Sequence, residues 1–279
     1  RDVAMIFRSS PYGAISHSHS NNNDFILHVG GKVMAMPSGY YAGYGSGHHA
    51  HWVWHSKSHN CVTLSDASQL MRSPDSRGRL AQPYEDERIA YLCGVADESY
   101  QDRADRCRRH IVYIKSSGCY VMVDAFVGKQ GIESSLQWNI HSWDTFAVNE
   151  VEKTFMIKRD QSTVTGTFMC HPNSFFSLTE GWDPPPMARK GNDEVWQQQY
   201  HLRFTPVGMI PARNLGVVLA PSHNHLEEAA VVTEIDGDVE VAHIGKDAVR
   251  INPPGHEYLA ELVVGGISYT IGDEGVKQS

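Results

Sequence analysis

Residues 15–23 read ISHSHSNNN, and residues 55–60 read HSKSHN. Half of the 16 histidines lie in this part of the chain: His17, His19, His28, His48, His49, His51, His55 and His59. Imidazole carries protons near neutral pH and is a common neutral metal ligand, so such a density points to proton transfer, metal binding, or both. On an extended backbone, side chains at i and i+2 share a face, which predicts that His17 and His19 address one pocket. Imidazoles from separate segments can also hold a metal through three ligands. His28, His51 and His55 read as hydrogen-bonded structural residues. His17, His19 and His59 have small polar neighbours (Ser18, Ser20, Ser58, Asn60), which fits a wet concave site better than a core. Tyr40, Tyr41 and Tyr44 in SGYYAGYGSG leave two readings open, aromatic packing or phenols lining a sugar site. The glycines among them fit a loop whose backbone approaches something closely. Arg8 and Lys57 supply positive potential nearby.

The elements that must position these residues read as strands. Short apolar runs such as DFILHV, KVMAM, HIVYI, YVMVDAFV, SLQWNI, YHLRFT and LGVVLA recur throughout, rich in β-branched and aromatic residues. Turn signals separate them at VGGK, KSSG, EIDGD and NPPG. Only DESYQDRADRCRRH competes as a helix, and its charges suit an exposed strand face equally well. The fold class expected is all-β, a multi-stranded antiparallel β-sandwich. Residues 66–90 and the proline-rich 181–197 are expected as long surface loops. A division near residue 180 gives a first sandwich over 1–180 carrying the histidines. Residues 181–279 are then its continuation or a smaller second sandwich.

Composition narrows the function classes. The 279 residues are 41% hydrophobic and 20% charged, as in packed globular proteins. A formal net charge of −8 argues against general nucleic-acid binding. No apolar run is long enough for a membrane-spanning helix. The five cysteines (Cys61, Cys93, Cys107, Cys119, Cys170) include no CxxC pair, so neither a zinc knuckle nor a disulfide framework is indicated. The chain starts at Arg1 without an initiator methionine, which fits a fragment or processed product.

The ordered series FRSSPYGAISHSHSNNNDFILHV, GYY, HHAHW and KSHN over residues 7–65 resembles the C-terminal β-sandwich of heparinase II/III-like polysaccharide lyases. It is particularly similar to the branch of alginate lyases and dermatan-sulfate epimerases. The resemblance implies that this is the C-terminal part of a larger enzyme, whose N-terminal α/α-toroid is absent from this chain. It implies His17 as the catalytic histidine facing substrate, and His19 and His59 as ligands of a structural divalent metal, zinc being favoured by the imidazole set. Met36-Pro37 stands where relatives often carry an acidic ligand, so His48 or His49 is expected to supply that donor. Tyr40, Tyr41 and His49 are further expected to contact sugar. His141, in QWNIHSWD, is either another sugar contact or a strand-end histidine packed on Trp138 or Trp143.

The implied reaction is β-elimination on a uronic-acid glycan, with alginate placed ahead of glycosaminoglycans. The uronate carboxylate is neutralised, a base removes the C5 proton, and an acid protonates the departing O4. Two other classes stay open: a carbohydrate-binding or structural module without turnover, and a uronate C5-epimerase. A secreted or periplasmic location follows by family analogy alone.

Overall fold

The structure is a computed structural model that describes residues 3–11, 17–169, 173–187 and 196–279. Cys170 and much of the proline-rich segment lie outside the described residues. In chain order the strands are β1 (Val3–Arg8), β2 (Asp24–Val29), β3 (Lys32–Ala35), β4 (Val62–Leu64), β5 (Arg79–Glu85), β6 (Ile89–Val95), β7 (Ala104–Ile114) and β8 (Cys119–Gly128). There follow β9 (Leu136–Ser142), β10 (Phe146–Asn149), β11 (Thr154–Arg159), β12 (Ser162–Met169), β13 (Ser174–Glu180), β14 (Tyr200–Pro206) and β15 (Ala212–Ser222). Six shorter strands, Val231–Asp236 through Gly275–Gln278, complete the chain.

These strands make four antiparallel sheets. An eight-stranded sheet, ordered β10-β11-β12-β15-β8-β7-β6-β5, runs through the middle. One face packs on the three-stranded β1-β2-β3 and the four-stranded β13-β14-β9-β4 sheets through Phe25, Trp138, Ile140, Phe204, Met122 and Phe126. Its other face packs on the six C-terminal strands through Tyr91, Val121, Val123, Val218, Ile251 and Leu262. β8 explains the arrangement locally. Tyr120, Met122 and Phe126 enter one core, while Val121 and Val123 enter the other. YVMVDAFV is therefore apolar without alternation because both faces of its strand are covered.

The all-β antiparallel expectation holds, and one local expectation is corrected. Residues 66–90 are not one loop, because Arg79–Glu85 forms the edge strand of the large sheet. Its exposed face carries the charges, and Pro83 sits at a register shift where an edge strand tolerates a missing N–H. DESYQDRADRCRRH is a single helical turn at Asp97–Tyr100 followed by the start of β7. Residue 180 ends the first arm of the β13–β14 hairpin, and β14 and β15 pair with strands from before it. Residues up to Ser222 thus continue the first sandwich, and the separate sheet begins at Val231.

Candidate functional site

The histidine segment forms loops at one end of the sandwich. One loop, residues 17–23, leads into β2. The other, residues 36–61, joins β3 to β4 and contains two short helical turns, His49–Val53 and Ser56–Ser58. The asparagine run is a buried polar hub rather than a solvent loop. The Asn22 backbone N–H donates to Gln69 Oε1 at 2.9 Å and its carbonyl accepts from Gln69 Nε2 at 2.8 Å. Asn22 Nδ2 donates to Ser99 Oγ, and Asn22 Oδ1 accepts the Ser10 N–H. Asn23 adopts φ +64°, a left-handed turn that asparagine tolerates better than most residues.

Arg109, fully buried, clamps both loops. Its guanidinium makes two bonds to Asp124, at 2.8 and 2.9 Å, and donates to the carbonyls of Asn23 and Asn60. The clamp places Asp24 and His59 side by side. Asp24 Oδ2 accepts from His59 Nδ1 at 2.9 Å, while Oδ1 accepts the N–H groups of Phe25 and Asn60. Gly39 closes the second loop: its φ is +105°, and an added Cβ would lie 2.8 Å from Val53 Cγ2.

The structure divides the expected site residues into three groups. His17 is exposed at the rim, with its ring 4.9 Å from that of Tyr44. Its φ of +57° breaks the extended backbone, so His17 and His19 do not share a face. His19 instead turns inward, with ring centroids 5.2 Å from His59 and 6.3 Å from His49. Burial, then the neighbouring His59 and His49, pushes His19 down to about 3, and burial likewise lowers His49. The inner cluster is thus held by neutral rings at His19 and His49.

His48 does not join them. Its Nδ1 donates to the Pro184 carbonyl at 2.8 Å, and Nε2 accepts the Tyr40 N–H at 3.2 Å. Both nitrogens of His59 also face oxygens, Asp24 Oδ2 and, at 3.1 Å, the Val53 carbonyl. Met36 is buried and lends its backbone N–H to the His141 carbonyl. Three lone pairs from His19, His48 and His59 therefore do not converge. Among the described residues, no group of three or more His, Cys, Asp or Glu side chains is arranged to hold a metal ion. The described residues do not fit the divalent ion that the motif implies.

Of the expected sugar contacts, Tyr41 is exposed and its ring lies 5.4 Å from His49. His49 is buried against Trp54, with Nδ1 accepting the Gly45 N–H. Tyr40 stacks on Trp196 at 4.7 Å, and its hydroxyl donates to the Gln197 carbonyl, so packing occupies it. His141 lies on the opposite face of β9 from Trp138, buried against His201 with ring centroids 5.0 Å apart. Asp24, Arg109 and Gln69 were not singled out from sequence. The clue was a polar run, SNNND, placed directly before an apolar strand, a place where buried hydrogen-bonding side chains anchor a loop.

Comparison with known proteins adds to this geometry. Solved structures with a similar fold include the heparan sulfate lyase HepC from Pedobacter heparinus, at 13% identity and TM-score 0.67, with 99% of this chain and 39% of that chain covered. The heparinase III BT4657 gene product matches at 15% identity and TM-score 0.68, again over 99% of this chain and 39% of that chain. A further heparinase III structure matches at 15% identity and TM-score 0.63, over 96% and 39%. The chain thus spans about 39% of the length of these structures. No curated protein matches by sequence. Residues 1–229 match the family described as Heparinase II/III-like, C-terminal, and the match ends just before the six-stranded sheet. The motif series over residues 7–65 and this match together show that the chain belongs to the heparinase II/III-like C-terminal family.

Proposed function

We propose that this chain is the C-terminal sandwich of a polysaccharide lyase that cleaves an acidic, uronate-containing glycan by β-elimination. The observation that carries this reading is His17. It is exposed at the loop rim beside the Tyr44 ring, while His19 and His49 are turned inward. An accessible imidazole there can hold or pass a proton at the reacting sugar, and the Tyr44 ring limits its movement. The buried Asp24–His59 and Arg109–Asp124 pairs fix the loops that present it. The remaining acid, base and carboxylate-neutralising groups belong to an N-terminal α/α-toroid outside this chain.

Heparan-type glycans are the first substrates to test, supported by the heparan sulfate lyase among the similar folds. Alginate, ranked first on sequence, is the second. A secreted or periplasmic location accompanies the same reading. The test uses the full-length protein carrying this chain, with heparan-type, chondroitin-type and alginate chains. Ultraviolet absorbance of the new C4–C5 double bond reports elimination, and His17→Ala is expected to lower kcat by about a hundredfold to ten-thousandfold. Glycan binding without unsaturated product would replace the lyase by a binding module. Deuterium uptake at C5 without cleavage would replace it by an epimerase.

A further inference from the structure

The outer face of the β13-β14-β9-β4 sheet carries a polar pattern that the histidine loops do not use. Along β9 and β14, Trp138, Ile140, Leu202 and Phe204 point into the core. Period-2 alternation sends Asn139, His141, His201 and Arg203 to the other side. The register sets these in two cross-strand rows, Ser177–Arg203–Asn139 and Thr179–His201–His141. The Trp52–Lys57 loop overhangs them and closes a pocket of about 220 Å³. Past Arg203 and Ser177 a more open hollow of about 590 Å³ continues along the same face, lined by Phe175 and Met209.

We propose that this face is a second saccharide subsite, recognising one anionic sugar unit of an acidic glycan through Lys57 and Arg203. The proposal rests on the acidic-glycan reading above. Lys57 Nζ sits 5.1 Å from the Trp52 ring centroid, and no carboxylate pairs with it among the described residues. The Trp52 indole is in turn fixed by Nε1 donating to Ser38 Oγ at 3.2 Å. Arg203 Nε donates to Asn139 Oδ1 at 3.1 Å, and its Nη1 is shared with the exposed Asp66. One counter-charge against two cations leaves the pocket net positive in a chain whose formal net charge is −8. His201 is 6% exposed and lines the pocket, its Nε2 donating to the Gly181 carbonyl while its buried Nδ1 has no protein partner. Ser177 and Thr179 add hydroxyls at the wall. Beyond them Phe175 and Met209 expose apolar surface, on which the less polar face of the next sugar ring can lie. Lone cations bind nothing specifically. Here they stand over a walled pocket with hydroxyl donors from Ser177 and Thr179 and with His201 Nδ1 open to accept a sugar hydroxyl, an arrangement that orients an anionic sugar.

The experiment measures binding and turnover of size-defined heparan-type oligosaccharides by the full-length protein and by its Lys57→Ala, Lys57→Gln and Arg203→Lys variants. Lys57→Ala and Lys57→Gln are expected to raise Kd and KM for the longer oligosaccharides about tenfold, with kcat unchanged. Arg203→Lys, which keeps charge but loses the fork, is expected to raise them less. The salt dependence of binding should become shallower in both Lys57 variants. Unchanged Kd and KM in a folded Lys57→Ala protein overturn the subsite while leaving the lyase reading intact. Lost binding in that variant, in a protein that shows no turnover at all, upholds the subsite and overturns the lyase instead. A fall in Tm with unchanged saccharide affinity marks the face as a protein contact and also overturns the subsite.

Discussion

At the residue scale, the loops depend on two buried hydrogen-bonded pairs, Asp24–His59 and Arg109–Asp124. Asp24 satisfies His59 Nδ1 and two backbone N–H groups, and all of them are shut off from water. Asp24→Ala should therefore destabilise the protein by about 3–5 kcal/mol, the range for breaking a buried pair from one side. Urea unfolding measures it, and a loss under about 1 kcal/mol would show that the pair does not hold the loops. The same geometry bears on metal removal: chelator treatment should leave Tm unchanged, since Asp24 and Arg109 hydrogen-bond both loops and His48 and His59 have their ring nitrogens committed elsewhere. A drop of several degrees on chelation would mean that a metal does hold them. The sequence displayed His17, His19 and His59 plainly. It did not show which oxygen each ring nitrogen meets, because His48 is committed by Pro184, 136 positions away.

At the element scale, strands were legible where one rule acted at a time. Period-2 alternation marked β9 and β14, and unbroken apolar runs marked β8, which is covered on both faces. β5 was missed because an edge strand alternates weakly and carries a proline. The extended reading of residues 17–19 failed because His17 takes a positive φ, a choice that loop closure makes rather than side-chain pattern. Gly39 makes the same point in testable form. Gly39→Ala places a Cβ 2.8 Å from Val53 Cγ2 at φ +105°, and should cost about 1–3 kcal/mol in backbone strain, with steric cost added. It should also lower activity, since Val53 and Trp52 lie in the turn that carries His49. Wild-type stability in that variant would mean that the loop adapts freely, and the loop would then not be a rigid support for His17.

At the scale of the whole molecule, buried neutral histidines set the acid limit of stability. Burial first, with smaller contributions from nearby cations, lowers His55 to about 4 and His110 to about 3, and burial lowers His201 to about 4, from an ordinary 6.5. Each folded-state value lies below the unfolded one, so between them the unfolded chain binds more protons. Stability is then complete above pH 6.5 and falls as pH drops toward 4, by up to about 1.4 kcal/mol per pH unit for each histidine. Denaturant midpoints should accordingly fall steeply between pH 6.5 and 5, and His110→Gln should make the fall shallower. A flat profile over that range would show that these rings are not held neutral. The effect depends on the assembled fold, since residues far apart in the chain cover these rings: Trp52 packs on His201, and Tyr91 and Cys93 meet His110.

Much of the protein is determined locally. Alternation, turn residues and the absence of a sustained helical period are properties of short segments, and they set the all-β class from the sequence alone. The ordered motif over residues 7–65 likewise placed the chain in its family, because order and spacing survive where identity to similar folds is only 13–15%. Tertiary structure decided the rest. It turned His19 inward and left His17 outside, gave His59 to Asp24, and took His48 for the Pro184 carbonyl. It also set Lys57 over a pocket floored by strands far along the chain. Each of these outcomes follows from the register of distant strands and from the closure of loops around Arg109. No short stretch of residues encodes where its partner will be.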